Sequence, residues 1–459
     1  IMTIEKVTTV DPVEEINTLV SKALVALDEF RLLNQEQVDN IVEKASAAAR
    51  DAARILAQHA NEETGRGVFE DKVTKNLFAS ENVANYLRGL KTVGIVDKNE
   101  SDGLTTIADP VGVVCAMVPT TNPTSTTIFK SLISLKTRNP IIFSFHPAAN
   151  ESSKQTARIV RDAAIKAGAP KGCIQFIEQP SLDATNALMK HDGVSIILAT
   201  GGSAMVKAAY SCGKPALGVG PGNVPAYVHK DAKLKEAVID IVLSKSFDNG
   251  MICASEQAAI VDTEHYEEFI ELMKEHHVYF VNKEEKAKLE EFVFGAKAYS
   301  HNCAGAKLNA DVVGKPATWI AEQAGFKVPA ETKILAAECA EVGENEPLTR
   351  EKLSPILAVI KSISTEDGIE KSRQMVEFNG LGHSAAVHTQ DEEVVEQFGK
   401  VIPACRILWN TPTSQGAIGS IYNALIPSLT LGCGSYGRNS VSGNVGAVNL
   451  LNYKIIARR

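Results

Sequence analysis

Cys253 follows an Asn-Gly pair in the stretch Phe247-Asp248-Asn249-Gly250-Met251-Ile252-Cys253-Ala254-Ser255-Glu256. An Asn-Gly turn exposes backbone amides and lets the side chains beyond it project into a cleft. A thiolate placed there is a strong nucleophile toward a carbonyl carbon, and nearby amide donors are expected to lower its pKa. A single cysteine is more often a buried structural one, so its assignment depends on what distant segments supply. Thr200-Gly201-Gly202-Ser203 follows an apolar run and opens a helical one, which leaves N–H groups for an anion; a plain tight strand-to-helix turn is the alternative. Asn122, between the prolines of Pro119-Thr120-Thr121-Asn122-Pro123, reads by itself as a turn former. His383 in Gly380-Leu381-Gly382-His383-Ser384 reads as a hydrogen-bonded structural histidine, and Glu351 as solvated surface.

These residues need elements to hold them. Asp11-Pro12-Val13-Glu14 is a helix start, with Ile16, Leu19, Val20, Ala23, Leu24 and Leu27 following at helical spacing. A second helix is predicted over 35–61, and the whole stretch 11–90 reads as helical packing without chemistry. From Leu104 the pattern changes. Apolar runs at 111–118, 141–146, 173–177 and 194–199 alternate with helical stretches at 152–168 and 203–212. Such alternation means βαβ units and a parallel sheet covered by helices. Ligands in these sheets bind at the carboxyl ends of the strands, where Asn122, His146 and Gly201 fall. A second α/β segment begins near Lys245 and runs to about residue 435, with a polar surface loop over 338–349. The tail carries Val445, Val448, Leu450, Leu451 and Tyr453, and would fray unless paired; we expect a strand completing a sheet across a subunit boundary.

Two glycine-rich stretches invite a dinucleotide assignment and do not support it. Gly432-Cys433-Gly434-Ser435-Tyr436-Gly437 matches GxGxxG literally, but Arg438-Asn439-Ser440 stands where a helix should begin. Gly218-Val219-Gly220-Pro221-Gly222-Asn223 lacks the third glycine, and Pro221 blocks helix entry.

Composition narrows the class. The 459 residues are enough for two or three domains, and 44% hydrophobic with 22% charged residues is ordinary for a soluble α/β protein. A net charge of −8 argues against nucleic acid and against anionic membrane surfaces as partners. No apolar run reaches bilayer length and no signal-peptide pattern opens the chain, so it reads as cytoplasmic. Eight scattered cysteines without a CxxC pair suggest neither a zinc site nor a disulfide framework, and no metal is expected. Ile1 is expected to be a remnant ahead of a natural start at Met2.

The segment around Cys253 resembles the nucleophile segment of the aldehyde dehydrogenase superfamily. More narrowly, 248–256 and Pro119-Thr-Thr-Asn-Pro-Thr-Ser125 are similar to its CoA-acylating branch, as found in the N-terminal half of bifunctional aldehyde/alcohol dehydrogenases. The resemblance runs from about Asn17 to Arg459. It implies the superfamily's α/β fold: a Rossmann-like NAD-binding domain (1–100 and 116–244), a catalytic α/β domain (245–437), and an oligomerisation arm (101–115 and 438–459). It implies Cys253 as nucleophile and Asn122, with the Cys253 amide, as oxyanion donors. Glu351, in Glu351-Lys-Leu-Ser-Pro355, matches the residue that binds the nicotinamide ribose. Thr200, Gly201, Gly202 and Ser203 match the turn at the NAD pyrophosphate, with Gly202 standing at a Ser position. Ser144 and His146 close the cofactor strand, and Phe145-His146-Pro147 replaces a lysine that many members use on the adenosine ribose. Gly218 stands where hydrolytic members keep the glutamate that activates water. His383 matches a histidine of the acylating branch and is expected to assist CoA deprotonation.

The resemblance implies oxidation of a short aldehyde, acetaldehyde first, with NAD and CoA to acyl-CoA through a Cys253 thioester. It further implies a homo-oligomer, linked to or forming filaments with an alcohol dehydrogenase half. Three other readings stay open: an acyl-phosphate-reducing semialdehyde dehydrogenase, a non-redox cysteine acyltransferase, and a filament-forming scaffold.

Overall fold

The computed structural model describes residues 11–295 and 307–459. The chain forms two compact units: one of residues 11–56, 76–217 and 446–459, the other of 57–75 and 218–445.

The first unit is built on a five-stranded sheet. Strands β1 (Gly94–Asn99) and β2 (Leu104–Pro110) form a hairpin ahead of β3 (Val113–Val118), β4 (Ile141–Phe145), β5 (Ile174–Phe176), β6 (Val194–Ala199) and β7 (Ala216–Gly218). The sheet order is β5-β4-β3-β6-β7, with β3 paired in parallel to both β4 and β6. Every residue of β3 and β4 is buried. That is why they read as unbroken apolar runs and not as alternating ones. The helix Pro12–Arg31 starts as predicted, with Asp11 Oδ1 accepting the Val13 N–H, and lays Ile16, Val20 and Ala23 against Cys115, Ile142 and Ile197. Lys130, on the fully buried helix Pro123–Lys136, donates to the carbonyls of Met117 (2.7 Å) and Leu198 (3.2 Å). It thereby clasps β3 to β6 where the strand order reverses.

One expectation is corrected in this unit and the helices that flank it. The helix predicted over 35–61 is two helices, Gln35–Asp51 and Ala53–Thr64, because Ala52 leaves helical geometry at φ −91°, ψ 1°. The terminal strand Leu451–Ala457 pairs antiparallel with β2 of its own chain, extending the hairpin to three strands. Asn139 Nδ2 anchors its start by donating to the Leu450 carbonyl at 2.8 Å.

The second unit holds a seven-stranded sheet of β8 (Val224–Val228), β9 (Glu256–Asp262), β10 (Val278–Phe280), β11 (Ile334–Cys339), β12 (Ile356–Ser362), β13 (Gly382–His388) and β14 (Ala404–Trp409). Its order is β10-β11-β12-β9-β8-β13-β14 and every pair is parallel. The core between sheet and helices contains Tyr227, Ile260, Ile320, Leu335, Ile356, Met375 and Phe398. Among the described residues no helix is long and apolar enough to cross a membrane.

Candidate active site

Cys253 sits in the short irregular segment between the helix Leu234–Ser246 and β9. Asp248, Asn249 and Gly250 have φ of 48°, 53° and 72°, three left-handed residues in a row. Asp, Asn and Gly are the types that enter this region at least cost, which explains the sequence of the turn. A Cβ on Gly250 would lie 2.6 Å from the Ser354 carbonyl oxygen, so the position has no room for a side chain either.

Polar contacts hold the turn. Asn249 Nδ2 donates to Gly314 O at 3.0 Å, and the Asp248 N–H to Asp71 Oδ2 at 2.8 Å. The Asp248 carboxylate, fully buried, accepts the Val68 N–H at 2.7 Å and pairs with Lys72 (3.2 Å) and Lys75. Burial works against this carboxylate, but the Lys75 and Lys72 ammonium groups prevail and hold it below the usual range. The reading of 11–90 as packing alone is therefore corrected: the helix Phe69–Leu77 carries the cations that fix the turn before Cys253.

His383, the second residue of β13 and fully buried, places Nε2 3.1 Å from Cys253 Sγ. Its Nδ1 lies 3.0 Å from Ser384 Oγ. Burial, reinforced by the Arg406 charge, pushes His383 down to about 3, so the imidazole is neutral at any physiological pH. The expectation of a lowered thiol pKa is corrected. Burial, then the Glu351 carboxylate and Cys433, push the Cys253 thiol up to about 12 against the opposing pull of Arg406. At rest the sulfur is protonated, and its proton must leave before or during attack.

Glu351 Oε2 accepts the Gly222 N–H at 3.0 Å, and burial brings its pKa to about 7. Gly222 itself is a residue that the sequence did not single out. A Cβ there would stand 2.2 Å from the Cys253 carbonyl oxygen and 3.2 Å from His383 Cγ. Only glycine lets the 218–223 segment run against both Cys253 and His383, and a Gly-Pro-Gly run between two strands was the available signal. Gly218 closes β7 at the start of that segment. The Gly432–Gly437 stretch leads only into the three-residue turn Ser435–Gly437, as its sequence indicated. Glu256 is fully buried at the start of β9; the Ser244 hydroxyl donates to one carboxylate oxygen and the Thr413 N–H to the other. Cys303 lies outside the described residues.

The first unit carries its own cavity, about 250 Å³, at the carboxyl ends of β3, β4 and β6. Ser144, His146, Thr200, Gly201 and Gly202 line it, with Pro119, Leu182 and Met205 giving apolar wall. Ser203 opens the helix Ser203–Ser211, for which Gly202 is the cap residue without a side-chain bond. The Met205 N–H donates to the Gly202 carbonyl at 3.0 Å, which leaves the N–H groups of Ser203 and Ala204 at this helix start for an anion. Ser144 Oγ is 2.7 Å from Thr185 Oγ1, and exposed His146 accepts the Ala148 N–H on Nδ1 at 3.1 Å. Thr185 and Leu182 escaped the sequence reading because they approach from the helix Leu182–Lys190, remote from the turn. Asn122 caps the helix Pro123–Lys136, with its side chain turned from the capping role and donating to Thr121 Oγ1 at 3.1 Å. Among the described residues no cluster of His, Cys, Asp or Glu could hold a metal ion.

Residues 2–421 match the model of the aldehyde dehydrogenase family. The aldehyde-alcohol dehydrogenase of Streptococcus pneumoniae is 69% identical over 446 residues, which are 97% of this chain and 50% of that protein. The chain thus spans about half the length of the bifunctional relatives it matches. The crystal structure of an acetylating aldehyde dehydrogenase from Geobacillus thermoglucosidasius superposes with a TM-score of 0.94 at 46% identity, covering 98% of this chain and 97% of that one. The propionaldehyde dehydrogenase of Rhodopseudomonas palustris, solved with bound CoA and an acylated cysteine, gives 0.83 at 28% identity, covering 96% and 97%.

Proposed function

The chain belongs to the aldehyde dehydrogenase family, and from that premise we propose that it converts a short aldehyde, acetaldehyde first, with NAD and CoA into acyl-CoA, reversibly. The observation that carries this reading is the Cys253–His383 pair, 3.1 Å apart, on a turn built to hold the sulfur in place. Cys253 attacks the carbonyl carbon through sulfur. A bound nicotinamide supplies the hydride acceptor, and the carbon left on Cys253 is then a thioester. The CoA thiol, deprotonated with the assistance of His383, attacks that carbon and Cys253 departs as thiolate. Asn122 and the Cys253 amide are proposed as the oxyanion donors, on the strength of the Pro-flanked motif.

The 250 Å³ cavity supports a nicotinamide dinucleotide in the first unit. Its open helix start suits a pyrophosphate, and Ser144, His146 and Thr200 offer polar atoms on an otherwise apolar wall. Glu351 is kept as a ribose ligand on its motif alone. CoA use is supported by the acetylating relatives and by the CoA-bound, acylated propionaldehyde enzyme. Absence of a hydrolytic outlet is supported by Gly218, which stands at the water-activating position, and by the full engagement of Glu256.

An arm for self-association is supported by the three-stranded sheet, on which Ile95, Tyr453, Ile455 and Ile456 are exposed. A cytoplasmic setting accords with seven described cysteines that are all free. Coupling to an alcohol dehydrogenase half is proposed from the bifunctional relatives, of whose length this chain spans about half.

Mass spectrometry tests the core of the proposal. Enzyme given acetaldehyde and NAD without CoA should carry an acetyl group on the Cys253 peptide, and Cys253→Ala should carry none. An unmodified Cys253, or an acetyl group elsewhere, would remove the thioester route.

A further inference from the structure

Arg406 lies on β14 directly opposite Ser384 on β13, its register partner in the parallel ladder. The side chain is buried, 3% exposed, and all its partners are neutral. Nε donates to Ser384 Oγ at 3.2 Å, and Nη2 to the His383 and Gly432 carbonyls at 2.8 and 2.6 Å. Nη1 reaches the Ser442 carbonyl (3.4 Å) and Asn444 Oδ1 (3.3 Å). Among the described residues no carboxylate pairs with it. Buried arginines ordinarily have a counter-ion; this one directs its charge at a hydroxyl, and through it at the imidazole beside the nucleophile.

Hydrogen counting then fixes the direction of the chain. A guanidinium can only donate, so Ser384 Oγ accepts from Arg406. The other partner of the Ser384 hydroxyl is His383 Nδ1, at 3.0 Å. For the hydroxyl hydrogen to be satisfied it must point at Nδ1. The neutral imidazole then carries its hydrogen on Nε2, facing Cys253 Sγ at 3.1 Å. We infer that Arg406 and Ser384 are positioning residues that hold resting His383 as a hydrogen-bond donor to the Cys253 sulfur, so that a buried positive charge relayed through two side chains favours the thiolate. In this tautomer His383 stabilises the thiolate once the thiol proton has left and does not act as the base that takes it. In the later CoA step the acylated sulfur bears no charge for this N–H to hold, and the ring can carry its hydrogen on Nδ1, donating to Ser384 Oγ, so that Nε2 is free to accept the CoA proton.

Glu351 and Cys433 face the same sulfur and oppose the thiolate, while Lys245 and Lys352 act on Glu351. The donor chain offsets part of that opposition. The inference rests on the proposed nucleophile, but its test needs no aldehyde, nicotinamide or CoA. The rate of iodoacetamide modification of the Cys253 peptide, followed by mass spectrometry from pH 6 to pH 10, reports the thiolate fraction. Ser384→Ala should move the profile upward by about one pH unit, roughly tenfold slower labelling near neutrality. Ser384→Thr, which keeps the hydroxyl, should restore the wild-type profile. Arg406→Met should shift it in the same direction as Ser384→Ala; because Arg406 also ties together several backbone segments, the two serine variants form the decisive comparison. A wild-type profile in Ser384→Ala, or an equal shift in Ser384→Thr, would overturn the inference. Either result leaves the acylation experiment on Cys253 independent.

Discussion

Cys253 and His383 each read by type as structural and were marked only by the contiguous motifs that carry the family resemblance; the structure brings them to 3.1 Å. Gly222, Ser384 and Arg406 were not marked. A glycine that acts by having no Cβ near the Cys253 carbonyl, and an arginine whose partner lies 22 positions earlier across a β ladder, have no local signature. The direction of the thiol's pKa was also misread, because the turn's amides are visible in sequence whereas the Glu351 carboxylate and the surrounding burial are not. Asn122 gives the residue-scale prediction. If its amide acts on the oxyanion, Asn122→Ala should lower kcat by about 10²–10³ with little change in KM, since that charge exists only in the transition state. Steady-state kinetics with acetaldehyde decide it; a change confined to KM would make Asn122 a substrate-positioning residue.

At the scale of elements, the parallel sheets were legible because buried strands such as Ile141–Phe145 are continuous apolar runs bounded by turn residues. The break at Ala52 was not, since an alanine-rich stretch contains no residue that marks it. Nor was the role of the helix Phe69–Leu77, whose Lys72 and Lys75 reach Asp248 across more than 170 positions. Removing that carboxylate takes from the two buried ammonium groups the anion they share. Asp248→Asn should cost about 3–5 kcal/mol of stability in the second unit. Both tryptophans, Trp319 and Trp409, lie in this unit, so their fluorescence during urea unfolding measures it. The pH dependence has a definite sign. Asp248 is held below its ordinary range, so its stabilisation is present above the unfolded-state pKa and is lost as the pH falls through the lower folded value. The gap between wild type and Asp248→Asn should accordingly close as the solution becomes more acid than about pH 4. A gap independent of pH would mean that the ion pairs contribute little.

For the molecule as a whole, the sequence conveyed a two-part α/β architecture and a tail that needs a pairing partner, which β2 of the same chain supplies on one edge. A strand at a chain end carries no mark in its sequence of which edge it will join, so its pairing with the chain's own hairpin became visible only in the fold. The central claim is the proposed acyl-enzyme on Cys253 that waits for CoA. Stopped-flow mixing of the enzyme with acetaldehyde and NAD, without CoA, tests it most directly. A burst of NADH approaching one per active site, then near silence until added CoA restarts turnover, is the predicted result. Continuous NADH formation with stoichiometric acetate and no CoA would contradict it.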